Sequence, residues 1–86
     1  MDLIQLKYFV GITSSPTMLQ AARALNVSQS ALSVSMKKLE AELGVRLFAR
    51  SGRRLVLTGE GERFLEGVTR ILDELEELKQ SKIRVT

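Results

Sequence analysis

The sequence predicts a mainly α-helical domain in which three helices and a two-stranded β-hairpin are followed by one long helix. The chain is 44% hydrophobic and 27% charged, which is typical of a folded globular domain. Apolar residues recur at helical spacing in four segments, and two short apolar runs flank a polar turn that contains glycine. At 86 residues the chain is long enough for one small domain and too short for two.

The first two helices are predicted from apolar spacing and from the residues at their ends. The first covers residues 3–13, and its apolar face is formed by Leu3, Leu6, Val10 and Thr13, with Phe9 alongside. It ends before Pro16, because the residue preceding a proline avoids the α region. A second, short helix covers residues 17–25, with Thr17 as its N-cap and Asn26 at its end.

The third helix is predicted over residues 28–43, from the N-cap Ser28 to the stop at Gly44. Its apolar stripe is formed by Leu32, Met36, Leu39 and Leu43. Only two or three residues join it to the second helix. This is the helix-turn-helix arrangement, in which the second of the two helices presents its outer face to a groove of a partner.

A β-hairpin is predicted next, because apolar runs flank the polar turn at residues 51–54. A hairpin directly after a helix-turn-helix is a wing, so residues 1–58 are predicted to form a winged helix-turn-helix domain. The wing segment 50–54 carries Arg50, Arg53 and Arg54. Arginine suits a narrow minor groove, where the electrostatic potential is strongly negative. The alternative is a solvated turn that is basic by chance.

The fourth helix is predicted over residues 59–80, with Thr58 as its N-cap. Its heptad stripe contains Phe64, Val68, Ile71, Leu72, Leu75 and Leu78. The stripe could pack on the body of the domain, and its first turn is expected to do so. A helix roughly 33 Å long extends beyond so small a body. The same helix of a second subunit is therefore the favoured partner, in a homodimer that addresses successive major grooves about 34 Å apart.

The outward face of the third helix carries side chains suited to DNA. The residues predicted to face bases are Gln29, Ser30, Ser33 and Val34, and those predicted to meet the DNA backbone are Arg23, Ser28, Lys37 and Lys38. Gln29 is long enough to bond bidentately to an adenine edge, and Val34 could contact a thymine methyl group. The alternative is that the serines only cap the helix and the lysines only keep the surface soluble.

The charge of the chain is unevenly distributed. The total is +3, but residues 1–58 hold eight basic and three acidic residues, for a net charge of +5. Residues 59–86 hold five basic and seven acidic residues, for a net charge of −2. A basic body and an acidic final segment suggest two different partners.

The composition also excludes several kinds of chemistry. Without Cys and His, the chain has neither a disulfide nor a Cys/His metal site, and it lacks the commonest general base. There is no Gly-rich phosphate loop, so we do not expect an enzyme or a cofactor. No signal peptide and no apolar run of membrane-spanning length is recognisable, which predicts a cytoplasmic protein that does not enter a membrane.

The sequence resembles the N-terminal DNA-binding domain of bacterial LysR-type transcriptional regulators over residues 2–78. The resemblance rests on Leu6-Lys7-Tyr8-Phe9, Ala21-Ala22-Arg23-Ala24-Leu25, Val27-Ser28-Gln29-Ser30-Ala31-Leu32-Ser33, Lys38-Leu39-Glu40, Leu43-Gly44-Val45-Arg46-Leu47-Phe48-Ala49-Arg50 and Leu57-Thr58-Gly59-Glu60-Gly61. It implies a transcription factor that binds double-stranded DNA as a dimer through a linker helix at residues 59–80. It also implies that Gln29, Ser30 and Ser33 face bases and that Arg53 enters the minor groove.

Family members usually continue into a domain that binds a small-molecule effector. Residues 81–86 would then begin the hinge to that domain, and the chain would be the DNA-binding part of a longer protein. Ser30 stands where the family usually has proline, and Val34 and Ser35 stand where basic or amide side chains are common. We therefore expect an operator that differs from those of other members.

Two other functions compete with sequence-specific DNA binding. A winged helix alone does not establish DNA binding, so a protein–protein interaction module without specific DNA binding is the main alternative. An enzyme is the more distant one, because only carboxylates remain to carry chemistry and most lie along the fourth helix.

Overall fold

A computed structural model describes residues 1–81. In this part of the chain, the elements are α1 (Leu3–Thr13), α2 (Met18–Leu25), α3 (Gln29–Leu43), β1 (Phe48–Ser51), β2 (Arg54–Leu57) and α4 (Gly59–Gln80). The predicted mainly α-helical fold with a two-stranded wing is confirmed. The predicted starts of α2 and α3 differ by one residue, because Thr17 and Ser28 are N-caps with extended backbone. Of the predicted hinge segment 81–86, all but Ser81 lies outside the described residues.

The helix ends are set by local hydrogen bonds. The side chains of Asp2, Thr17, Ser28 and Thr58 each accept from the backbone amide three residues further along, over 2.8–3.1 Å. Asn26 (φ 58°) and Gly44 (φ 71°) adopt the left-handed conformation that ends α2 and α3. These caps use neighbouring residues only, which is why their sequence pattern identifies them.

The core forms where α1, α3 and α4 meet the wing. Phe9 is fully buried, and its ring centroid lies 5.4 Å from that of Phe48 and 5.1 Å from that of Phe64. The buried face of α1 is Leu6, Phe9 and Ile12. The prediction that Leu3 belongs to this face is wrong, since Leu3 is 44% exposed. At 100° per residue it lies about 120° from Phe9.

The wing is an antiparallel pair in which Phe48 faces Leu57 and Ser51 faces Arg54. Gly52 (φ 65°) supplies the left-handed conformation that the tight turn requires. The base of the wing is joined to α4 by Thr58, whose amide donates to the Leu47 carbonyl over 3.0 Å and whose hydroxyl donates to the Arg46 carbonyl over 2.6 Å.

The first half of α4 packs against the domain itself. Val68 is only 2% exposed, and Phe64 and Leu72 pack against the same core. The assignment of Val68 to a partner helix is therefore wrong, because the domain's own core covers its side chain. Ile71 and Leu78 are 50% and 53% exposed. We call the stripe formed by Ile71, Leu75 and Leu78 the α4 seam.

Candidate nucleic-acid interface

The outer face of α3 lies opposite the core. Leu32 is fully buried, and Val34, about 200° around the helix from it, is 51% exposed. The residues Gln29, Ser30, Lys37 and Lys38 are exposed as well, whereas Ser33 is half-buried. The structure therefore leaves the predicted base-facing side chains accessible along one side of α3, with Ser33 at its edge towards the wing.

The start of α3 is capped by a serine and is also exposed to solvent. The Ser28 hydroxyl accepts from the Ala31 amide at 3.0 Å and lies 3.3 Å from the Ser30 hydroxyl. Ser28 thus caps α3, as its position in the sequence predicts. Both side chains are also exposed at the N-terminus of a helix, where unpaired amides and the helix dipole favour an anion such as phosphate.

The wing arginines share a groove with α3. Arg50, Arg53 and Arg54 line a groove of about 760 Å³ together with Gln29 and Ser33. All three arginines are exposed, and within residues 1–81 none of them has a carboxylate at ion-pair distance. Their positive charge is therefore directed outward beside α3. Arg23 is exposed on α2 and stands apart from this groove.

Sequence reasoning missed the residue that holds the wing against α3. One carboxylate oxygen of Glu40 accepts from the Leu47 amide at 2.6 Å and from the Phe48 amide at 3.2 Å, and it lies 3.6 Å from Nε of Arg46. The side chain is 15% exposed. Glu40 therefore connects the recognition helix directly to the first wing strand. Among the sequence motifs, Glu40 occurs only in Lys38-Leu39-Glu40, from which no function is predicted for its side chain.

Replacing Glu40 by glutamine is expected to loosen the wing. The neutral amide is a weaker acceptor for two backbone amides, and breaking a charged hydrogen bond of this kind costs about 1–3 kcal/mol. Urea unfolding should show this loss, and the Leu47 and Phe48 amides should exchange faster with deuterium. The control is Glu66→Gln, at an exposed position of α4. An equal loss in both variants would contradict the role given to Glu40.

A family model described as "Bacterial regulatory helix-turn-helix protein, lysR family" matches residues 3–62. The chain belongs to the LysR family. The resemblance inferred from the sequence motifs is thereby confirmed.

Individual LysR-family relatives are similar over most of this chain. The HTH-type transcriptional regulator TcbR of Pseudomonas sp. (strain P51) is 45% identical over 73 residues, which are 85% of this chain and 25% of TcbR. The chain thus spans about a quarter of the length of that relative.

Two solved structures of protein–DNA complexes contain a chain with a similar fold. The CbnR_DBD–DNA complex matches with a TM-score of 0.86 at 41% identity, over 94% of this chain and 93% of that one. The BenM_DBD/benA site 1 DNA complex matches with a TM-score of 0.89 at 31% identity, over 94% of this chain and 91% of that one.

Proposed function

We propose that this LysR-family chain binds double-stranded DNA sequence-specifically and acts in transcription regulation. The observation that carries the proposal is the groove shared by α3 and the wing, where Gln29 and Ser33 lie beside three arginines that form no internal ion pair among the described residues. An α-helix fits the major groove, and arginine on the adjoining wing suits the minor groove. The similar CbnR and BenM structures are complexes with DNA, which supports the same function.

In this proposal, side chains at the start and along the outer face of α3 read bases. These are Gln29, Ser30, Ser33 and Val34, which the sequence assigned to this role. Ser28, Lys37, Lys38 and Arg23 contact phosphates and set the position of the helix, whereas Arg50, Arg53 and Arg54 approach the minor groove. All of these side chains are exposed except Ser33, which is half-buried, so they are accessible to DNA.

We also propose that the chain works as a homodimer through α4. The α4 seam leaves two large apolar side chains about half exposed, and the same stripe on a second copy is the simplest cover for them. A twofold arrangement then presents two α3 helices to half-sites about one turn of DNA apart.

We propose that this chain catalyses no reaction. We expect an effector site outside the residues of this chain. We place the action of the chain in the bacterial cytoplasm, where the DNA lies. Within residues 1–81, no helix combines the length and apolar character needed to cross a bilayer.

The salt dependence of DNA binding tests the proposed interface. With an operator selected from genomic fragments, log K should fall linearly with log salt concentration, by about 0.9 for each phosphate contacted. Replacing Arg53 and Arg54 by alanine should weaken binding by about 10–100-fold and reduce this slope by up to about two for each half-site. Fluorescence anisotropy across a salt series measures both quantities.

The matched control is Arg63→Ala with Arg70→Ala, which removes the same charge from the exposed side of α4. If both double variants lose the same affinity, only the total charge matters and the wing assignment is wrong. Association of the parent chain with duplex DNA that is weak and insensitive to salt would favour the protein–protein module instead.

A further inference from the structure

An exposed apolar patch lies between the start of α1 and the outer face of α3. Ile4 is 60% exposed and Val34 is 51% exposed. Together with Ala31 they line a shallow groove of about 690 Å³, which Ser30 and Lys38 also border. We call Ile4, Ala31 and Val34 the methyl patch. Side chains of this kind remain in water only at an energetic disadvantage, so covering them with another apolar group is favourable.

The two helices hold the patch in a defined geometry. The Gln5 side-chain amide donates to the Ser35 carbonyl over 3.3 Å and so joins the first turn of α1 to the middle of α3. Asp2 accepts from the Gln5 amide at 2.8 Å and fixes the start of α1. Ile4 of α1 is therefore held beside α3, next to the outer face that carries Val34.

The charges around the patch limit how DNA could approach it. The charged groups that line the groove are Lys38, the amino group of Met1 and the carboxylates of Asp2 and Glu42. The Glu42 carboxylate is paired with the amino group of Met1 at 2.6 Å. Lys38 attracts phosphate and Asp2 repels it, whereas the charge of Glu42 is offset by the Met1 amino group. Two cationic and two anionic groups thus line the groove, so the phosphate backbone gains no net attraction to it and the apolar side chains favour the edge of a base.

The major groove offers one apolar group, the C5-methyl of thymine. We propose that the methyl patch receives a thymine methyl group in each half-site, so that Val34 and Ile4 together specify thymine at one position. This inference rests on the proposed function and deepens it. The continuity of the patch with Ser30 and Lys38 on the proposed DNA-reading face favours this occupant over another protein surface.

Substituting deoxyuridine for thymine tests the inference, because it removes only the methyl group and keeps the hydrogen-bonding edge. Each thymine position of the selected operator is replaced in turn, in both half-sites. At one position, the Kd should rise about fourfold per half-site, the equivalent of one buried methyl group. With Val34→Ala, thymine and deoxyuridine should bind equally at that position, and Ile4→Ala should reduce the discrimination in part.

Val45→Ala is the control, since Val45 is 39% exposed but lies after the end of α3. This variant should retain the full discrimination. If deoxyuridine changes the Kd at no position while specific binding persists, the inference is wrong and the proposed function stands. If the parent chain binds no sequence specifically, both are wrong. If Val34→Ala instead changes the oligomeric state measured by sedimentation, the methyl patch contacts a second copy of the chain and the inference is wrong.

Discussion

Replacing Gly61 by alanine is expected to destabilise the domain by about 3 kcal/mol, the upper end of ordinary overpacking costs. Gly61 is buried in the first turn of α4, and a Cβ atom there would overlap the Leu47 carbonyl oxygen and lie 2.9 Å from Cδ2 of Leu57. The Leu47 carbonyl is backbone and is already bonded to the Thr58 amide, so it cannot move aside without breaking the junction of wing and α4.

Urea unfolding at one fixed protein concentration measures this effect. Gly67→Ala is the matched control, because Gly67 lies in the same helix and an added Cβ would meet no atom within 4 Å. Alanine should there stabilise the helix by about 0.5–1 kcal/mol relative to glycine. The explanation fails if the two variants shift the free energy of unfolding in the same direction.

Replacing Ile71 by glutamate is expected to convert the proposed dimer into monomers and to lower the affinity for the full operator by about 100-fold or more. Ile71 is half exposed in the α4 seam, so the change leaves the domain's own core intact. It places two charges in a twofold apolar contact, where their desolvation is unfavourable. The loss of affinity follows because two linked half-site contacts gain from a high effective concentration, which monomers lack.

Sedimentation gives the mass, and anisotropy gives the affinity for one half-site and for two. Thr69→Glu is the control, since it adds the same charge to an exposed position on a different side of α4. The variant Ile71→Glu should bind a single half-site as well as the parent chain does. A dimeric mass for Ile71→Glu would show that the subunits meet elsewhere.

The element bounds could be predicted because their determinants are local. Thr17, Ser28 and Thr58 are each a hydroxyl residue that bonds an amide three positions on, and Asn26 and Gly44 end helices through their own backbone conformation. The fold class followed from these signals and from the apolar periodicity. The motifs then sufficed to recognise the LysR family.

The remaining features depend on contacts between residues that are distant in the sequence. The carboxylate of Glu40 reaches amides seven and eight residues away, across the turn after α3. Val68 fits the heptad stripe of α4 equally well whether it packs on its own domain or on a partner, and only the tertiary fold assigns it to the core. The pairing of Ile4 with Val34 requires the angle between α1 and α3, which no local pattern encodes.

The junction at Thr58 has a consequence for how the proposed dimer measures distance along DNA. One residue caps α4 and binds two carbonyls at the base of the wing, so α4 leaves the domain in a fixed direction. A rigid α4 therefore fixes the distance between the two α3 helices of the proposed dimer and their relative rotation about the DNA axis. Where the half-sites of an operator are spaced differently from the α3 helices, the DNA must twist or bend to fit. The flexibility of the base pairs between the half-sites then contributes to which operators the proposed dimer prefers.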